Sequence, residues 1–229
     1  MRLLIVFLEE PLPPHLEPSL AGIVGTDRAD VVSRAAMRLL LTQLSGLEKC
    51  NLRFCFRPPD AHDAVRFWLL SEIMEQPDIH VGTETVDFQP QPDGDLSTRI
   101  SHAAGHAFRE GYQKIALIGS HCLEISNRWI HATFAQLNKK NAAVIGPTQG
   151  GACCLFAMQQ HLPSLCSNIS WTNPGSAERT IHQASREEIA LYQLPKLPAL
   201  GSLHDYRSAL SGSMGPRFLQ AIEDILESG

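Results

Sequence analysis

Short runs of apolar residues alternate along the chain with longer amphipathic segments, and this alternation constrains the fold more than any other feature of the sequence. The clearest run, Lys114–Gly119, is typical of a buried strand that ends on a glycine. An amphipathic segment over residues 95–108 precedes it, and Ser126 is placed to cap a helix that follows it. Residues 3–8 form another continuous apolar run, as expected for a strand buried on both faces. The pattern predicts an α/β domain.

The same reasoning predicts further elements on both sides of this central part. Strands are expected at residues 52–56, 79–81, 142–147 and 189–194, and helices at residues 27–44, 61–74, 178–185 and 217–226. Helix, strand, helix and strand in close succession imply right-handed parallel crossovers. Since no linker is long enough to split the chain, we expect a single domain over residues 1–229.

The charge balance excludes several classes of protein. The 229 residues carry 19 Lys and Arg against 24 Asp and Glu, a formal net charge of −5. A binder of nucleic acid or of anionic membranes needs clustered Lys and Arg, so we expect neither partner. No apolar stretch reaches the roughly 20 residues that a membrane span requires. We therefore expect a cytoplasmic protein.

Four loops are candidates for a binding cleft, because ligands bind outside the carboxyl ends of the strands in open parallel sheets. They cover residues 9–20, 91–95, 120–126 and 148–151. The first loop carries Glu9, Glu10 and Glu17 and no Lys or Arg, so it would repel a phosphate. We interpret this loop as a solvated structural segment.

The other three loops carry the candidate functional groups. Asp95 stands where it can cap a helix, and Arg99, one turn further, could face the cleft or an i+4 partner. His121 follows the central strand and could be a metal ligand or an acid–base group, and Asp205 could complete a metal site with it. The pair Gly150-Gly151 permits a tight turn or a close approach of a ligand to the backbone.

The six cysteines do not form a disulfide framework, and reduced thiols are the default expectation. Cys153 and Cys154 are adjacent in an apolar run, so that in a strand their side chains would point to opposite faces. A thiol or soft-metal site built from His121, Cys122 and Cys153 or Cys154 is one hypothesis. Packing in the core is the favoured explanation.

Several motifs in residues 91–205 resemble, in order and spacing, those of a bacterial family of nucleotide-diphospho-sugar transferases. This family has the glycosyltransferase-A fold and is of the radical-SAM/selenodomain-associated type. The motifs that carry the resemblance are Gln91-Pro92-Asp93-Gly94-Asp95-Leu96-Ser97-Thr98-Arg99-Ile100, Ile118-Gly119-Ser120-His121-Cys122, Ile145-Gly146-Pro147-Thr148-Gln149-Gly150-Gly151, Ser170-Trp171-Thr172 and Leu203-His204-Asp205.

The resemblance implies a three-layer α/β/α architecture with a mostly parallel central sheet. It also implies a glycosyltransferase or nucleotidyltransferase that binds a nucleotide or nucleotide-sugar, with Mg²⁺ or Mn²⁺ as a possible cofactor. The implied site has three parts: nucleotide binding by Gly94, Asp95 and Arg99; catalysis and metal binding by His121 and Asp205; and substrate binding by Gly150, Gly151 and Trp171.

The sequence departs from the family at positions that carry charge. His121 replaces an aspartate after the central strand, Gln149 replaces the aspartate before the paired glycines, and Leu203 replaces the first aspartate of the last motif. A basic motif of the first loop corresponds roughly to Glu17-Pro18-Ser19. These changes motivate an alternative hypothesis, a pseudoenzyme of the same fold that serves as a binding module.

Overall fold

A computed structural model of the protein describes residues 1–9, 22, 24–120, 122–138, 142–170, 173–200 and 202–228. Within these ranges, seven strands form one mixed sheet. In chain order the strands are β1 (Arg2–Glu9), β2 (Asn51–Arg57), β3 (Val86–Pro90), β4 (Lys114–Gly119), β5 (Ala143–Pro147), β6 (Cys153–Met158) and β7 (Leu191–Gln193). Their spatial order is β3-β2-β1-β4-β6-β5-β7. Only β6 runs antiparallel to its neighbours, so the sheet is mostly parallel, as predicted.

Helices cover both faces of this sheet. They are α1 (Thr26–Gln43), α2 (His62–Glu75), α3 (Leu96–Arg109), α4 (Asn127–Gln136), α5 (Pro163–Cys166), α6 (Ser176–Arg186), α7 (Leu203–Ser211) and α8 (Gly215–Ser228). In the ranges given above, none of them combines the length and the apolar character needed to cross a bilayer.

The alternation of side chains along β1 divides the core into two layers. Leu4, Val6 and Leu8 belong to a buried cluster that also takes residues from α1, α2 and α4. Leu3, Ile5 and Phe7 point the other way, into a cluster with residues from α3, α5 and α6. A strand that is buried on both faces needs apolar residues at consecutive positions, which explains the continuous run in the sequence. The three-layer α/β/α architecture is thereby confirmed.

The cysteine pair follows the same rule in β6. Cys153 belongs to the cluster under α3 and α6, and Cys154 to the cluster under α1, α2 and α4. The predicted opposite orientation of the two side chains is confirmed.

The predicted strand at residues 79–81 is wrong. Ile79 lies in a turn in which its N–H donates to the carbonyl of Gln76 (3.2 Å), and the carbonyl of His80 accepts from Gly46 N–H (3.0 Å). The edge strand beside β2 is instead β3, which places the Phe88 ring 5.5 Å from that of Phe54. An isolated run of three apolar residues lacks the length of a typical strand.

Candidate functional site

The carboxyl ends of the six parallel strands meet at one edge of the sheet. The chain runs from β1 outward through β2 and β3, and it then returns to the other side of β1 at β4. The strand order therefore reverses between β1 and β4, and a crevice at such a reversal is the usual ligand site of an open α/β sheet.

Gln91 ties the ends of two strands together just after β3. Its side chain is buried, and Nε2 donates to the carbonyl of Leu8 (3.0 Å) and to the carbonyl of Cys55 (2.7 Å). Its Oε1 accepts from Nη1 of Arg99 (2.6 Å). A buried amide with both ends satisfied holds its partners in one geometry. The amide of Gln91 therefore fixes the Arg99 guanidinium at the carboxyl edge of β1 and β2.

A second guanidinium lies near Arg99. Arg57 is the last residue of β2, and it is in register with Glu9, the last residue of β1. Burial makes the largest contribution and lowers the pKa of Arg99, and the positive charge of Arg57 lowers it further. The negative charges of Glu9 and Asp95 act in the opposite direction and raise it. An arginine stays protonated at any pH of interest, so two positive charges meet at this edge. A guanidinium binds phosphate oxygens in a bidentate manner.

Gly94 and Asp95 form the turn that leads into α3. Gly94 adopts a φ of 119°, which favours glycine, and Asp95 is the N-cap residue of the helix. The carboxylate of Asp95 accepts from Thr98 N–H (2.8 Å), and this hydrogen bond lowers the pKa of Asp95. The capping predicted from the sequence is confirmed. Nucleotide binding by Gly94 and Asp95 stays a prediction.

The two glycines between β5 and β6 differ in what they do. Gly151 has a φ of 83°, and its carbonyl accepts from Gly175 N–H (2.9 Å) and Ala177 N–H (3.2 Å). The turn therefore anchors the start of α6. Gly150 faces open space apart from Thr148, whose Oγ1 would lie 3.8 Å from an added Cβ.

This difference gives a test with a matched pair of variants. Gly151→Ala is expected to lower the free energy of unfolding by about 1–2 kcal/mol, because alanine is strained at this φ. An added Cβ would also lie 3.1 Å from Gly175 N. Gly150→Ala is expected to stay within about 0.5 kcal/mol of the parent. Urea unfolding of both variants measures the two changes, and equal losses would contradict a structural role for Gly151.

Asp205 lies in the first turn of α7, where its carboxylate accepts from Ser202 Oγ (2.8 Å). Asp205 N–H donates in return to Ser202 Oγ (3.2 Å), which completes a helix cap. His121 and Trp171 lie outside the residues that the structure describes. The proposed His121–Asp205 pair and the substrate role of Trp171 therefore stay predictions.

The residues that the structure does describe offer no ready metal centre. Among them, no three His, Cys, Asp or Glu side chains come together in a way that could hold an ion. The one predicted ligand in this part of the chain, Asp205, is hydrogen-bonded in its helix cap. These residues do not fit a divalent cation.

The thiols have the character of core residues. All six are buried, and burial raises the pKa of Cys50, Cys55 and Cys166 to about 12 and that of Cys153 to about 11. Burial likewise raises the pKa of Cys122, and its hydrogen bond with Cys154 adds to the shift. Protonated, buried thiols are poor nucleophiles and poor metal ligands. The packing explanation is supported.

The sequence pointed to Arg99 but gave no role to Gln91, Arg57 or Glu124. Gln91 begins the motif that carried the resemblance, so its position was a usable signal. Arg57 comes directly after the strand predicted at residues 52–56. A charged residue in that position is a signal for the ligand-binding edge of a parallel sheet. Glu124 follows β4 and lines a cavity of about 220 Å³ at the same edge of the sheet.

Solved structures share this fold over nearly the whole chain. A proposed nucleotide-diphospho-sugar transferase from Desulfovibrio desulfuricans G20 superposes with a TM-score of 0.75 and 22% identity, covering 98% of each chain. A cytidylyltransferase from Leptospira borgpetersenii gives 0.53 and 13% identity, covering 100% of this chain and 95% of its own. The 4-diphosphocytidyl-2C-methyl-D-erythritol synthase of Anaerococcus prevotii gives 0.53 and 9%, covering 98% and 96%. At these identities the likeness establishes a nucleotidyl- and sugar-transferase-like fold.

No curated protein matches the sequence. A family described as uncharacterised proteins conserved in bacteria, DUF2064, matches residues 40–173, which is more than half of the chain. The matched region includes β2 to β6 and with them Gln91, Arg99 and Arg57. The chain belongs to the DUF2064 family.

Proposed function

We propose that this protein is a transferase that binds a nucleotide or nucleotide-sugar at the carboxyl edge of β1, β2 and β3. The single observation that carries the proposal is the Arg99 guanidinium, held in place by the buried amide of Gln91 with Arg57 nearby. The transferase-like fold supports it, because this edge is where an open α/β sheet takes its ligand.

The Arg99 guanidinium has hydrogen-bonding capacity beyond its contact with Gln91. Nη1 is used by Gln91, whereas Nε is buried and has no hydrogen-bond partner among the described residues. A buried donor without an acceptor costs free energy, and a phosphate oxygen would satisfy it. The phosphates of a nucleotide therefore fit Arg99 better than a neutral ligand does.

The chemistry of transfer follows from this placement. The hydroxyl oxygen of an acceptor forms a bond to the sugar carbon or to the phosphorus of the nucleotide, and its proton passes to a carboxylate at the same edge of the sheet. The bond to the leaving phosphate oxygen breaks, and that oxygen keeps the electron pair. The guanidiniums of Arg57 and Arg99 stabilise the negative charge that develops there. We assign glycosyl transfer, as in the radical-SAM/selenodomain-associated type, or nucleotidyl transfer to this site.

Mg²⁺ or Mn²⁺ stays a prediction that depends on His121. Since the described residues do not fit a cation, the positive charges that we assign to the leaving phosphate are those of the two arginines.

The alternative is a pseudoenzyme that binds a nucleotide without transferring any group. The observation that favours it is the engagement of Asp205 in a helix cap, together with the loss of acidic residues at the positions of His121, Gln149 and Leu203. The two hypotheses share the binding site and differ in turnover.

Thermal unfolding with a panel of nucleotides and nucleotide-sugars, each with and without Mg²⁺ or Mn²⁺, tests the proposal. A ligand at about 100 times its Kd adds about 2.7 kcal/mol of stability, which is roughly 5–10 °C in Tm for a chain of this length. We expect one nucleotide class to give such a shift, and Arg99→Gln to reduce it. Arg109→Gln, at the far end of α3, is the matched control and should keep the shift.

Turnover of the nucleotide that gives the shift separates the two hypotheses. Release of the nucleotide product in the presence of an acceptor supports the transferase, and binding without release supports the pseudoenzyme. A cooperative unfolding transition that no member of the panel displaces would overturn nucleotide binding itself.

A further inference from the structure

A largely apolar cavity lies at the other half of the carboxyl edge, beyond the switch point between β1 and β4. It has a volume of about 220 Å³ and lies among the segment after β4, the turn after β5, the segment after β7, and α7 with the turn that follows it. Its apolar lining includes Leu123, Leu200, Ala209 and Met214. An apolar cavity of about 150 Å³ is large enough to bind benzene, so this one can take a group of that size.

The cavity also carries a carboxylate. Oε1 of Glu124 accepts from Ser213 Oγ (3.3 Å), and Glu124 lines the cavity. Gln149 lines the same cavity, and its N–H donates to the carbonyl of Leu197 (2.9 Å), which ties the turn after β5 to the segment after β7. A group bound here therefore has an apolar wall and a carboxylate beside it.

The two halves of the edge thus differ in chemistry. The half over β1, β2 and β3 holds two guanidiniums beside the carboxylates of Glu9 and Asp95, and the half over β4 and β5 holds the apolar cavity with Glu124. A phosphate would be repelled by Glu124 and would find no cation among the described residues that line the cavity. A free sugar would bury several hydroxyl groups with few partners, which costs free energy for each unpaired group.

We propose that this cavity binds the acceptor of the transfer, and that the acceptor is an alcohol with an aromatic or aliphatic body. The body packs against Leu123, Leu200 and Met214, and the hydroxyl donates a hydrogen bond to Glu124. This inference rests on the proposed function. In the transfer, the hydroxyl oxygen forms the new bond to the carbon or phosphorus of the nucleotide donor, and its proton passes to Glu124. The nucleotide phosphate leaves with the electron pair of the bond that breaks.

Binding can be measured directly with 2-phenylethanol as the probe and no nucleotide present. The chain has five methionines, so methyl-¹³C-methionine labelling introduces only five NMR signals. Met214 lines the cavity, whereas Met74 on α2 does not line it and is 76% exposed. We expect 2-phenylethanol at millimolar concentrations to shift the signal of Met214 in a saturable way and to leave that of Met74 unchanged. Glucose at the same concentrations should shift neither.

Two variants test the pocket and the carboxylate separately. Ala209→Leu fills the cavity and is expected to weaken 2-phenylethanol binding at least tenfold. Ala132→Leu, on the exposed face of α4, adds the same atoms elsewhere and should keep the affinity of the parent.

Glu124→Gln is expected to weaken binding of 2-phenylethanol by about threefold to tenfold, because a neutral amide is a weaker acceptor than a carboxylate. It should leave the binding of toluene unchanged.

The outcomes separate this inference from the proposed function. An unchanged Met214 signal at saturating probe, or equal affinity in Ala209→Leu and the parent, overturns the acceptor pocket, whatever the nucleotide panel gives. Saturable binding of 2-phenylethanol together with a flat nucleotide panel instead leaves the pocket standing and overturns nucleotide binding at Arg99.

Discussion

Replacing Arg38 with methionine is expected to lower the free energy of unfolding of the protein by about 3 kcal/mol or more. Arg38 on α1 and Glu72 on α2 form a bidentate ion pair, with Nε 2.7 Å from Oε2 and Nη2 2.9 Å from Oε1. The side chains are only 12% and 6% exposed. Breaking a buried pair leaves an uncompensated charge, which typically costs about 3–5 kcal/mol. Urea unfolding of the variant measures the loss.

A double variant shows whether the loss comes from the isolated charge. Arg38→Met combined with Glu72→Leu replaces the pair with apolar side chains of similar size, and such replacements are often neutral. We expect the double variant to recover most of the stability that Arg38→Met loses. Arg66→Met, on the exposed face of α2, is the control and should change the free energy of unfolding by about 0.5 kcal/mol or less. A double variant as unstable as Arg38→Met would contradict the explanation.

The parts of the fold that the sequence predicted are those where burial leaves a clear pattern. The strand predicted at residues 3–8 is β1 (Arg2–Glu9), and Lys114–Gly119 is β4 as predicted. Both strands lie in the middle of the sheet with helices over both faces, so nearly every residue is apolar. The helix after Asp95 was equally visible, because its cap and its apolar stripe agree.

The edge strand β3 and the helix α7 have a weaker hydrophobic pattern in the sequence. β3 has no fully buried residue, and its sequence contains Asp87 and Gln89, which gave no continuous apolar run. Asp87 is present there because its carboxylate pairs with the buried Arg53 of β2 (2.7 Å), a contact that only the register of the two strands creates. α7 likewise contains no fully buried residue, and its sequence therefore shows no strong apolar stripe that would predict a helix.

At the candidate site, contacts between neighbouring residues could be predicted from the sequence, and contacts between distant segments could not. Capping by Asp95 depends on neighbouring residues and was predicted. The position of Arg99 depends on Gln91, which in turn depends on the carbonyls of Leu8 and Cys55 from distant parts of the chain. No pattern within residues 91–99 reveals those two partners. Local chemistry therefore identified the arginine, and only the fold shows what positions it.

Replacing Gln91 with methionine is expected to lower both stability and nucleotide affinity, in contrast to a change of Arg99 itself. Methionine keeps the size of glutamine but cannot donate to the two carbonyls or accept from Arg99. We expect a loss of about 2–3 kcal/mol in the free energy of unfolding, from buried groups that lose partners. We also expect at least a tenfold loss in affinity for the nucleotide identified by thermal unfolding, because Arg99 is no longer held at the edge.

The comparison with Arg99→Gln distinguishes positioning from direct contact. Arg99 is partly exposed and contributes one of the three hydrogen bonds of the Gln91 side chain, so Arg99→Gln should lose less stability than Gln91→Met and at least as much affinity. Gln220→Met, an exposed substitution of the same kind on α8, should change neither quantity. Urea unfolding and a nucleotide titration of the three variants give both readouts. If Gln91→Met lost stability but bound nucleotide as the parent does, the amide would support the fold alone, and Arg99 would reach its ligand without it.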